Sequence, residues 1–185
     1  MRTFFISIIF LHIFISCQFN TLELNKELRE LKSKPLLIDN PLKFYSISKG
    51  WFNNTPLKKF KIVTCIDARC STCLNELGLW NEYIEDNQDL NVDYLFFLKI
   101  DDFKKVEYFL KHIDFKYPVI IDENNTFFNQ NRLPKDKTLH TFLIDRTNNI
   151  LLVGNPAKIQ SLNNLFRNFL NNPDNKIISL MPFDN

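Results

Sequence analysis

From Lys58 onward, short apolar runs alternate with amphipathic stretches, and a Cys-x-x-Cys pair stands at the first junction between the two patterns. "FKIVTCID" has the apolar continuity of a buried strand. Ser71 to Asn87 then repeats Leu74, Leu77, Trp80, Tyr83 and Ile84 on one helical face. "VDYLFFLKI" is a second strand, and Phe103 to Ile113 is a helix with Phe103, Val106, Leu110 and Ile113 inward. "YPVIID" is a short strand. "HTFLID" and "ILLVGNP" form a hairpin closed by Arg146–Asn149, with Asn148 and Asn149 in the turn. Lys158 to Asn171 is a last helix, stopped by Pro173. This order predicts an α/β domain, a mixed sheet with helices on both faces.

Upstream the signals are weaker. Leu42–Ser48 alternates as a strand, and "KGWFNNTP" reads as a turn. Leu24, Leu28 and Leu31 make a helical stripe in Thr21–Ser33, ended by Pro35, and suit a short helical spacer. The formal net charge is +2 and the lysines are scattered, which gives no footprint for nucleic acid. Large core side chains are plentiful, with 19 Phe against 3 Gly.

The first residues read as an address. Arg2 precedes an apolar run from Phe4 to Ile15, then Ser16-Cys17, which is the n-region and h-region of a secretory signal. The run is shorter than the ~20 residues a membrane span needs. A small residue directly before a cysteine resembles the lipobox of bacterial lipoproteins, of the loose kind found in Bacteroidetes-like ones. That resemblance implies a lipid on Cys17, and stable membrane anchoring takes more than one acyl chain. The expected organisation is a signal over 1–16, a tether and short helix over 17–41, a folded domain over 42–172 and a tail over 173–185. The domain then lies in the cell envelope, on the periplasmic side or the cell surface, where dithiols can be oxidised.

The Cys-x-x-Cys after a buried strand, with "YPVIID" and "TFLID" following in order, is the thioredoxin arrangement. "KIVTCIDARCSTCLNELGLW", "YPVIIDENNTFFNQN" and "HTFLIDRTNNILLVGNP" resemble the thioredoxin-like lipoproteins of Bacteroides-type bacteria and, more distantly, the envelope-anchored thiol–disulfide oxidoreductases. The resemblance covers roughly Phe44 to Leu170. It implies a redox disulfide and no other cofactor, with protein thiols or disulfides of the envelope as partners.

The chemistry follows from position. Cys70 falls at or just before the first helical turn, where unpaired N–H groups and the helix dipole favour a thiolate. Cys73, three residues on and nearer the interior, suits the resolving thiol that attacks the mixed disulfide made by Cys70. Cys65, in the strand, is either a small buried hydrophobe or a third thiol that modulates the pair. The resemblance places a cis-proline just before the "TFLID" strand, and His140 stands there instead. An imidazole facing Cys70 and Cys73 would shuttle protons or stabilise the thiolate. It would equally complete a Cys70–Cys73–His140 set of ligands for copper or zinc, the second reading. A third is a binding lipoprotein that keeps the fold without the enzyme.

Overall fold

The computed structural model describes residues 25–39, 41–56 and 58–173. The signal segment, Cys17 and the tail from residue 174 lie outside the described residues. Helix α1 covers residues 25–32. There follow β1 (Leu42–Ser46), β2 (Gly50–Asn54), β3 (Phe60–Asp67), α2 (Ser71–Leu74), α3 (Glu76–Asp86), β4 (Val92–Lys99) and α4 (Phe103–His112). Then come β5 (Val119–Asp122), α5 (Thr126–Gln130), a 3-10 turn (Lys137–Leu139), β6 (Thr141–Ile144), β7 (Ile150–Val153) and α6 (Gln160–Asn171).

The seven strands form one sheet in the order β2-β1-β5-β4-β3-β6-β7. β3, β4 and β5 run parallel, while β1, β2, β6 and β7 pair antiparallel with their neighbours. The central strands are covered on both faces, so burial runs on through consecutive residues of β3 and of the second half of β4 instead of alternating. Ile62, Ile66, Phe96 and Leu98 face one layer with Leu77 and Trp80 of α3, Val106 and Leu110 of α4 and Phe166 of α6. Val63, Cys65, Leu95 and Phe97 face the other with Phe127 of α5 and Leu31 of α1. The handedness of parallel crossovers groups α3 and α4: β3 to β4 and β4 to β5 step the same way along the sheet, so both helices share a face. The connection from β5 to the antiparallel β6 carries α5 on the opposite face, where Phe127 packs on Phe97.

Several sequence expectations change. "KGWFNNTP" is not a turn: only residues 47–49 turn, Gly50 takes φ +67°, and Trp51 to Asn54 pair back onto β1. Trp51 and Phe52 carry the strand preference that the flanking turn residues masked. The helix expected over Ser71–Asn87 changes hydrogen bonding at Asn75, which keeps α-region dihedrals of −59° and −21°. The five-residue α5 has no expected counterpart. Its Phe127 ring stacks on Phe97 at 3.8 Å, a contact that holds a helix too short to show a period. The last helix starts at Gln160, two residues later than expected. The expected tether is packed at its far end. Leu31 and Leu36 are buried, Leu36 N–H donates to Asn148 O, and Leu37 exchanges hydrogen bonds with Asn131.

Candidate active site

Cys70 follows the carboxyl end of β3, the end of a parallel sheet where the crossover helices begin. Its N–H donates to Asp67 O, and its carbonyl accepts from Cys73 and Leu74 N–H. Its backbone is extended (φ −105°, ψ 113°), and it is the N-cap of α2. The cap atom is the sulfur: Cys70 Sγ accepts from Cys73 N–H at 3.3 Å. Thr72 Oγ1 lies 2.9 Å from the same sulfur. A thiolate gains from each such donor. Hydrogen bonding from Cys73, then from Thr72, brings the Cys70 thiol down to about 7 from its ordinary 9.0.

Cys73, partly buried like Cys70, packs against the core layer of α3. Burial is the main cause that pushes its thiol up, and its hydrogen bond to Cys70 adds to that. The two free thiols are unequal, one made more acidic and the other less. Two charged groups frame them. Asp67 accepts from Arg69 Nε at 2.7 Å and Nη2 at 2.8 Å, which holds its carboxyl below the usual range. Lys137, from the turn before β6, places Nζ 3.7 Å from Cys73 Sγ and 3.9 Å from Asp67 Oδ2.

No family model matches the sequence, and no curated protein is significantly similar to it. Solved structures are. One is a proposed thiol-disulfide oxidoreductase from Bacteroides vulgatus, with TM-score 0.58, 14% identity, and 76% of this chain and 93% of that one covered. A second is the thioredoxin domain of a thiol-disulfide oxidoreductase from Bacteroides vulgatus, at TM-score 0.54, 12% identity, 74% and 98% coverage. StoA from Bacillus subtilis is a third, at TM-score 0.51, 15% identity, 67% and 95% coverage. The fold is thioredoxin-like. At these identities the likeness carries the architecture, and the chemistry has to be read from the site.

Within the thioredoxin-like fold, the expected third and fourth participants stand apart from the pair. Cys65 is 5% exposed and belongs to the core layer of α1 and α5, whereas Cys73 packs in the layer of α3, with the sheet between the layers. Burial pushes the Cys65 thiol well up, so it stays a neutral, small core side chain. The His140 carbonyl accepts from Cys65 N–H at 2.9 Å, the continuation of the β3–β6 ladder. Its imidazole turns into the preceding loop. Nε2 lies 2.7 Å from Pro134 O, and the ring meets Phe128 edge-on at 5.9 Å. A carbonyl only accepts, so Nε2 carries the proton.

Burial, the leading cause, lowers the His140 pKa, which favours the neutral ring over the cation once expected to support a thiolate. Among the described residues no hydrogen bond or ring contact joins it to Cys70 or Cys73. No three His, Cys, Asp or Glu side chains among them are grouped to hold a metal ion either. Cys70, Cys73 and His140 are thus not grouped as one ligand set among the described residues, and Nε2 is turned to Pro134 O.

The resemblance already marks the polar pair Ser71-Thr72 between the cysteines as the stretch that tunes the dithiol, and the structure adds the contact of the Thr72 hydroxyl with Cys70 Sγ. Lys137 is not among the residues that the sequence singles out, since 64 residues separate it from Cys73. The turn that presents it is capped by Asp136, whose Oδ1 accepts from Thr138 N–H and Oγ1.

Proposed function

We propose that this chain is a thiol–disulfide oxidoreductase of the cell envelope, with Cys70 as the exchanging thiolate, Cys73 as the resolving thiol and protein thiols or disulfides as substrates. The observation that carries the reading is the capping sulfur: Cys70 Sγ takes the N-cap position of α2 and accepts hydrogen bonds that a thiolate gains from most. An inert core pair needs no such asymmetry. The solved structures described above as thiol-disulfide oxidoreductases support the reading by analogy of fold. Anchoring through Cys17 rests on the lipobox-like Ser16-Cys17. Among the described residues no helix is long and apolar enough to cross a membrane.

The test is a Cys73→Ser variant expressed in its own envelope and trapped with acid. It should accumulate mixed disulfides through Cys70, and the Cys70→Ser, Cys73→Ser double variant should accumulate none. Absence of adducts, with both thiols equally alkylated before and after mild oxidation of the parent protein, would falsify the reading. In the same cells a Cys17→Ala variant should leave the membrane fraction, and its retention there counts against the anchor.

A further inference from the structure

Lys137 is the only residue from outside the Asp67–Cys73 loop whose side chain hydrogen-bonds either thiol among the described residues. Its ammonium lies between Cys73 Sγ, at 3.7 Å, and Asp67 Oδ2, at 3.9 Å. The Asp67 charge is already shared with the Arg69 guanidinium through two short hydrogen bonds. Lys137 is thus held near Asp67 while its charge remains available to the sulfur. Its side chain is 57% exposed, so it fills no core position that would account for it.

We propose that Lys137 is the charge partner of the Cys73 thiolate, and so a catalytic residue of the step in which Cys73 attacks or leaves. Which step that is rests on the oxidoreductase reading; the charge pairing itself does not. In the reducing direction the Cys70 thiolate attacks a substrate disulfide, R–S–S–R′. A Cys70–S bond forms, the substrate S–S bond breaks, and R′S⁻ departs and takes a proton from water.

Cys73 then gives its proton to water and attacks Cys70 Sγ. The Cys70–Cys73 bond forms, the bond from Cys70 to R–S breaks, and RS⁻ is released. Two electrons have passed from the dithiol to the substrate. In the oxidising direction the steps reverse, and Cys73 is the thiolate that leaves.

Negative charge stands on Cys73 Sγ in both directions, in surroundings that oppose it. Burial, above all, raises that thiol, and hydrogen bonding to Cys70 raises it further. Once Cys70 is in a mixed disulfide its own negative charge is gone. The ammonium of Lys137 then has one sulfur anion nearby to stabilise. A unit positive charge at this distance on a partly exposed sulfur shifts an ionisation by about half to one pH unit.

The decisive measurement needs no redox turnover. In a Cys70→Ser background, the rate of Cys73 alkylation by iodoacetamide is followed against pH under reducing conditions, with mass spectrometry locating the label. Adding Lys137→Gln should raise the midpoint by about half to one pH unit, which is about three- to tenfold less thiolate at pH 7. Lys137→Arg should restore most of it, since charge and not shape is at issue. Identical profiles with Lys, Gln and Arg at position 137 would overturn the proposal. A shifted profile in a protein that traps no mixed disulfide would leave this pairing standing and remove the oxidoreductase reading alone.

Discussion

Cys70 and Cys73 differ because the backbone changes state between them. At Cys70 the chain is still extended, and its side chain turns back to the Cys73 N–H; by Cys73 it is helical and leans on the core. Two residues of one type are therefore shifted in opposite directions, Cys70 down and Cys73 up. Thr72 belongs to this balance, because its hydroxyl can donate to the Cys70 anion. Thr72→Ala should raise the pH midpoint of Cys70 alkylation from about 7, by roughly half a unit, or about threefold less thiolate at neutral pH. Stopped-flow alkylation between pH 5 and 9 would check it, and an unmoved midpoint would show that the Cys73 N–H bond suffices. The cysteine spacing and the helix start were legible from the sequence. The hydroxyl contact was not, since a Thr inside a motif has several rotamers and only packing selects one.

At the scale of elements, the hairpin β6–β7 and the entry to α6 show how side chains and backbone share the work. Asp145 Oδ1 accepts from Thr147 and Asn149 N–H, and Asn148 takes φ +65°, so the Asn-Asn turn expected from sequence forms under an Asp cap. Beyond β7 the chain must leave the sheet, and Gly154 does this at φ +123° while its N–H donates to Thr141 O. A Cβ there would also meet Leu162 Cδ1 at 2.6 Å. The leucine tip can move, but the dihedral cannot be relieved. Gly154→Ala should therefore cost about 1–3 kcal/mol in urea unfolding. A Leu162→Ala change added to it should recover none of that loss; full recovery would mean the cost was contact and not backbone. Asn155 and Lys158 then tie this corner to Glu76 at the start of α3.

Over the whole molecule, two core layers on opposite faces of one sheet make the site a consequence of global packing. One layer carries α3 with Cys73 at its margin. The other is closed by α5 and by a segment read from sequence as a spacer. Leu36 is 3% exposed there and lies with Leu31, Leu42 and Phe127. Leu36→Ala should destabilise the domain by about 2–5 kcal/mol, with the urea midpoint falling and the slope unchanged. A midpoint within error of the parent would instead make residues 31–39 a dispensable strap. The same packing separates Cys65 from the dithiol, and the loop that supplies Lys137 also draws the His140 ring toward Pro134.

Local patterns, on their own, determined the strands β3, β4 and β5, the hairpin β6–β7, most of three helices and the placement of Cys70 at a helix start. Apolar periodicity and caps are short-range properties, and each of these elements buries enough of its own face to be visible in them. Three features were left to the tertiary structure. β2 exists because β1 is there to pair with it, and α5 exists because Phe97 offers a ring for Phe127 to stack on. The partners of the sulfurs were decided last. A side chain 64 residues away reaches Cys73, while the His140 imidazole bonds the Pro134 carbonyl. Such choices depend on distances of a few ångströms between elements remote in the chain, and no periodicity or spacing records them.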